Sequence, residues 1–244
     1  MDTHSIKRHS TKGLTWSKRN ATYVLMILVL VSLLPILVQK GLANAYHFKS
    51  RFYIDQWHEG NVPTELQYSN ALLAADYAYK IDNKNPHYLL TLAKVMEWGV
   101  FSSMAQSNPN LFNKLYAEAI RFRPTWPNAY SDYAYNLTFI QHDLEKAWPY
   151  LILAEQYGPY TPEVLHQILS IGFASWPNLT VTQKLQVFKT AKKAATANWL
   201  LRNDLKKLAN QYQLTPILCT YFSNMSPRMA TQDEKWINQD MCRK

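Results

Sequence analysis

Arg121, Arg123, Trp126 and Tyr130 sit close together, in and just after the stretch Arg121-Phe-Arg-Pro-Thr-Trp-Pro127. Arg grips carboxylates with a planar fork, and aromatic faces stack on sugar rings. This set is therefore the candidate contact for a partner protein or a glycan. Helix packing is the competing use of Trp126 and Tyr130. Hydrolysis of a glycan needs two carboxyl groups converging on one bond. Glu97, Glu118, Asp132 and Glu163 are the candidates, and nothing in their spacing argues for convergence. His142-Asp143-Leu144-Glu145 falls where one helix turns into the next, so Asp143 reads as a cap that accepts free N–H groups. His166 lies on an expected helix with no carboxylate in local register. There is no Gly-rich phosphate loop, no Gly-x-Ser-x-Gly and no His-Glu-x-x-His. The sequence thus offers no catalytic residue, no cofactor and no metal site. Cys219 and Cys242 fit no zinc spacing. Outside the cytoplasm they can form one disulfide that pins the tail to the last helices; two free thiols are the alternative. Three Asn-x-Thr sequons, at Asn20, Asn136 and Asn178, are too short a motif to carry weight.

The elements that must hold these residues are helical. With 244 residues the chain forms one large or two small domains, and it has only six Gly beside eight Trp and sixteen Tyr. Few Gly with many Ala, Leu and Lys favours helix over sheet. The net charge of +9 is uneven, because residues 1–20 hold Lys7, Arg8, Lys12, Lys18 and Arg19 against Asp2 alone. The rest is spread thinly, without the clustered basic stripe that nucleic acid requires, so no nucleic-acid partner is expected.

Ala21 to Val38 is an uncharged run of eighteen residues. As a helix it is about 27 Å long, enough to cross a bilayer core. Lys and Arg on its N-terminal side keep that side in the cytoplasm. The expected address is a bacterial inner membrane, single-pass, with the helical domain in the periplasm and residues 21–38 in lipid. A cleaved signal peptide competes, with Ala43-Asn44-Ala45 as its site and Pro35 ending the apolar region. Against cleavage, the run is long and Lys40 interrupts the approach to the site. The expected divisions are a basic N-terminus (1–20), a span (21–40), a juxtamembrane connector with some helix (41–62), a repeat domain (63–214) and a helix with a ragged tail (215–244). In the connector, Tyr46, Phe48, Phe52, Tyr53 and Trp57 lie at the headgroups or pack on the first repeat.

The repeats are visible at three joins. Ala71 and Ala78 share a helix face, Asp82-Asn83-Lys84-Asn85 turns, and Pro86 opens an apolar helix. Pro suits a first helical position, where its missing N–H has no partner anyway. The pattern recurs at Ala119 and Pro127 after 41 residues, and at Ala154 and Pro162 after a further 35. A tetratricopeptide (TPR) unit repeats about every 34 residues, and the excess at the first join fits an insertion at Ser102–Pro109. The expected helices run from Pro63 to Ile81, Pro86 to Met104, Asn110 to Phe122, from Pro127, from Asp143, from Pro162, Asn178 to Asn198, and Trp199 to Tyr212. The fold class is all-α: a TPR-like αα-hairpin solenoid after one N-terminal transmembrane helix. The last third drifts from the pattern, as the end of a solenoid must when one face meets water.

Four stretches carry a resemblance: LTLAKVMEWG (Leu90–Gly99), FRPTWPNAYSDYAYN (Phe122–Asn136), YGPYTPEV (Tyr157–Val164) and IGFASWPNL (Ile171–Leu179). With the span before the repeats, they resemble the VpsP-type polysaccharide biosynthesis proteins of bacterial exopolysaccharide clusters. The resemblance implies a membrane-anchored accessory protein in synthesis or export of an extracellular polysaccharide, and brings no catalytic residues. The expected role is a non-catalytic scaffold that contacts proteins of that machine. The alternatives are an adaptor in secretion, pilus or cell-wall assembly, and a carbohydrate-binding module, which requires exposed aromatics along the concave face.

Overall fold

The structure, a computed structural model, describes residues 18–225 and 230–243. It divides into two units, Met1–Leu42 and Ala43–Lys244. Among the described residues there are eleven α-helices and no strand. They are α1 (Lys18–His58), α2 (Glu65–Ile81), α3 (Pro86–Phe101), α4 (Pro109–Phe122), α5 (Pro127–Phe139), α6 (Leu144–Tyr157), α7 (Pro162–Ala174), α8 (Val181–Ala195), α9 (Trp199–Gln211), α10 (Thr215–Ser223) and α11 (Thr231–Trp236). A 3-10 turn (Trp176–Asn178) precedes α8, and a π-helical turn (Ile237–Met241) follows α11.

In the first unit, α1 exposes nearly every side chain of residues 20–42, Leu25, Leu30 and Leu37 among them. An 18-residue stretch of it has a mean hydropathy of 2.7, so the helix is long and apolar enough to cross a membrane. The Ser32 hydroxyl donates to the Val29 carbonyl at 2.8 Å, which pairs it inside the helix.

The second unit is an αα-hairpin solenoid. Its helix starts follow from local chemistry. Thr64 with Gln67 and Thr180 with Gln183 form capping boxes that open α2 and α8. Asn85, Asn108 and Asp143 accept N–H bonds at the starts of α3, α4 and α6. Pro stands in the first turn of α3, α4, α5 and α7. These caps shift several expected boundaries. The helix expected from Pro63 starts at Glu65, and the one expected from Asn178 starts at Val181, after the turn at Trp176-Pro177-Asn178. The helix expected to reach Met104 stops at Phe101, and Ser103 takes a φ of 59° in the turn that follows.

Consecutive helices pack as pairs, and α5, α7 and α9 also pack on one another in turn. Small residues set these approaches: Ala71, Ala74, Ala75 and Ala78 line the buried face of α2. At Gly172 on α7 a Cβ would overlap Val187 of α8, so only Gly permits that contact. The core is continuous from Ile54 and Trp57, at the end of α1, to Met241.

Two expectations change. α1 is helical to His58, through most of the stretch read as a connector. Of its aromatics, Trp57 is buried and Tyr53 packs on the core, whereas Phe48 and Phe52 are exposed. The ragged tail expected after α10 is also corrected. Residues 231–241 fold back as helix, burying Ile237 and Met241. A disulfide joins Cys219 of α10 to Cys242, with Cα atoms 5.8 Å apart. Arg202 of α9 also pairs with Asp233 of α11.

Candidate functional site

Helices α3, α5, α7 and α9 bring one face each to a common groove. On α3, Lys94, Glu97, Trp98 and Phe101 recur at helical spacing, and Asn128, Asp132 and Tyr135 do so on α5. His166 and Gln167 continue the face on α7, and Asp204 on α9 with Asn198 at that helix's N-cap. The last turns of α1, with Ile54, Trp57 and His58, close one side. The half-open groove has a volume of about 830 Å³, within the range of pockets that bind an organic ligand.

The walls differ in chemistry. Rings from α1, α3 and α5 follow one another: Trp57 to Trp98 at 5.7 Å, Trp98 to Phe101 at 6.3 Å, and Phe101 to Tyr135 at 6.3 Å between centroids. Amides and carboxylates come from α5, α7 and α9. One ion pair and one His–carboxylate contact cross between helices here. Lys94 Nζ lies 2.8 Å from Asp132 Oδ2, and His166 Nδ1 lies 2.6 Å from Asp204 Oδ2. His166 therefore has a carboxylate partner, 38 positions away and invisible to local register. The Trp57 indole N–H and the Gln167 side-chain carbonyl are buried without a hydrogen-bond partner. Such orphans are uncommon in a folded interior.

Glu97 joins the groove to the core. Its Oε1 accepts from the Tyr116 hydroxyl at 2.5 Å and from Asn136 Nδ2 at 2.7 Å. Gln141 Nε2 in turn donates to Asn136 Oδ1 (2.7 Å) and to Asn113 Oδ1 (2.9 Å), and the Tyr133 hydroxyl donates to the same Asn113 oxygen. The network ties α3 to α4 and α5. Burial pushes the Glu97 carboxyl up to about 7, against the two hydrogen bonds, which favour its charged form. Burial and the neighbouring Glu97 charge hold the Tyr116 hydroxyl well above its ordinary value. This network can hold or release one proton near neutrality. Among the described residues no group of three or more His, Cys, Asp or Glu is placed to hold a metal ion.

Of the four carboxylates whose spacing gave no argument for convergence, Glu97, Asp132 and Glu163 line the one groove, and Glu118 does not. The spacing concealed this because each comes from a different helix, and only packing of α3, α5 and α7 brings them together. The Arg–aromatic set lies elsewhere. Arg123 stacks on Trp126 (5.0 Å to the ring centroid), and His87 meets the same ring at 4.4 Å. Arg121 lies over Phe122 at 4.2 Å. Trp126 is half-buried, and Tyr130 is buried with its hydroxyl donating to the Pro124 carbonyl at 2.6 Å. Tyr130 is thus a packing residue that holds the Arg-Pro turn, while Arg123, His87 and Trp126 form a surface stack at the join. None of these lines the groove. The signal for the groove was the stripe of polar and aromatic residues on α3, α5 and α7, which reads as an ordinary solvent face until the helices are assembled. Asp143 caps α6 as expected, accepting from the Lys146 N–H at 3.0 Å.

No family model and no curated protein matches this chain. Among solved structures it is similar to the crystal structure of the yeast protein Tom70, with 18% identity and a TM-score of 0.49. The match covers 91% of this chain and 42% of that one, so the chain spans less than half the length of that protein.

Proposed function

We propose that this protein is a membrane-anchored, non-catalytic TPR-like adaptor in the synthesis and export of a bacterial exopolysaccharide. The groove formed by alternate helices carries the reading, because stacked helical repeats use such an extended surface to bind. The surface stack of Arg123, His87 and Trp126 adds a contact on a second part of the repeat domain, where Arg and Trp suit a protein interface. Residues 21–40 anchor the chain in the inner membrane, with the basic residues before them in the cytoplasm and the repeat domain in the periplasm. The Cys219–Cys242 disulfide fits an oxidising compartment. The polysaccharide process rests on the resemblance at Phe122–Asn136 and its companion stretches.

In-cell crosslinking of the full-length protein, followed by identification of the captured proteins, tests this. Recovery of a polysaccharide polymerase, a chain-length regulator or an export protein is the expected result. Recovery of secretion, pilus or cell-wall proteins instead would move the adaptor to another machine.

A further inference from the structure

We propose that the groove is a binding site for an uncharged saccharide chain of pyranose units. This goes beyond the adaptor reading, which requires protein contacts only. A pyranose ring is two-sided: C–H groups on its faces, hydroxyls around its rim. The groove is two-sided in the same way. Trp98, Phe101 and Tyr135 present rings that are at least part-exposed, and Phe101 is 46% exposed. Asn128, Gln167 and Asn198 supply the opposite chemistry from α5, α7 and α9. Amides give and take hydrogen bonds with neighbouring hydroxyls.

The two orphaned groups agree. Trp57 is 2% exposed and its N–H lacks an acceptor, while Gln167 lacks a donor, and both line this groove. Both atoms are closed to solvent in this structure, so a ligand hydroxyl, which can accept from the first and donate to the second, reaches them only when the lining shifts. The charges point to an uncharged ligand. Lys94 is paired with Asp132 and Arg51 with Asp55 (3.2 Å), so these cations already have anionic partners. Glu163 is exposed at the same groove and repels an anionic chain. A cavity of about 830 Å³ holds several sugar units.

The test uses the full chain in lipid nanodiscs, which avoids sugar-headed detergents. Cellohexaose, maltohexaose, mannohexaose and hexagalacturonate are titrated by calorimetry and by tryptophan fluorescence. At least one neutral hexasaccharide should bind saturably at millimolar concentration or below, and hexagalacturonate should bind more weakly. Phe101→Ala should weaken binding about tenfold through loss of one stacking ring. Gln167→Ala should weaken it several-fold. Tyr160→Ala, which removes a 76%-exposed ring outside the groove, should leave it unchanged. Circular dichroism and thermal melting check that each variant is folded. The proposal is overturned if no neutral hexasaccharide binds, if hexagalacturonate binds tighter than all of them, or if folded Phe101→Ala and Gln167→Ala bind as the parent does. Crosslinking to proteins is read separately, so the adaptor reading stands or falls independently.

Discussion

In α2 to α7 neighbouring helices approach over small side chains, Ala71 and Ala78 on α2, Ala119 on α4, Ala147 and Ala154 on α6. The Pro-started helices that follow bury apolar side chains of their own, Leu89 and Leu92 on α3, Tyr130 and Leu137 on α5, and Val164 and Ile168 on α7. At the C-terminal end the helices are short, and α10 buries only Leu218 and Phe222. There the chain is held by the Cys219–Cys242 disulfide and the Arg202–Asp233 pair. Repeats with enough apolar face need only neighbours, whereas a short terminal segment needs ties. A cross-link also confines the unfolded segment and so favours its folded form.

This contrast can be broken first at Leu151, which is fully buried in α6. Leu151→Ala should cost about 4 kcal/mol, because the cavity cannot close among packed helices. Urea denaturation should show the loss over the whole repeat unit. A loss confined to α6 would mean that the repeats are not one cooperative body.

Glu97 sharpens the contrast by pH. Its folded value of about 7 lies above its ordinary 4.5, so the folded chain holds a proton that the unfolded chain releases. The stability this gives is present below pH 4.5 and is lost as pH rises through about 7. The whole change amounts to about 3 kcal/mol. Glu97→Gln keeps an acceptor for Tyr116 and Asn136 and cannot ionise. Urea unfolding of both proteins across this window should show the variant gaining on the parent as pH rises. A constant difference would mean that Glu97 is not held neutral.

Removing the disulfide should act on the other region. Cys219→Ser with Cys242→Ser should cost about 2 kcal/mol, read as lost hydrogen-exchange protection in α10 and residues 231–241. Protection in α2 to α7 should not change. Its collapse there would erase the distinction between the two regions.

The smallest effect belongs to a turn. His142 has φ of 57°, a conformation disfavoured for any residue with a Cβ. His142→Gly should stabilise the protein by up to about 1 kcal/mol, seen as a raised melting temperature. A loss of stability instead would mean that the His142 side chain has a structural role.

The helices were legible in the sequence where their signals are local. Pro86, Pro127 and Pro162 mark helix starts by themselves, and Ala pairs mark the faces between them. The 3-10 turn at Trp176 escaped notice because Pro177 and the cap at Thr180 displace the helix start together. The Cys219–Cys242 tie was one of two readings of the sequence, but the helix at 231–241 escaped, because Asp233 meets Arg202 across 31 positions. Arg123 and Trp126 were brought together, as a stack that His87 completes. Tyr130 takes the packing use that the sequence also offered: it is buried, and its hydroxyl donates to the Pro124 carbonyl.

By itself the sequence determined the helical class, the join positions and an apolar segment long enough for a bilayer. Helix caps, Pro positions and apolar periodicity act within a few residues, so they can be read along the chain. The groove was decided only by tertiary structure. Lys94 finds Asp132 and His166 finds Asp204 across 38 positions, and the Glu97 carboxyl is pushed up to about 7 by burial in the packed helices. Pairing and desolvation depend on which helices meet, and that is settled by packing the whole solenoid.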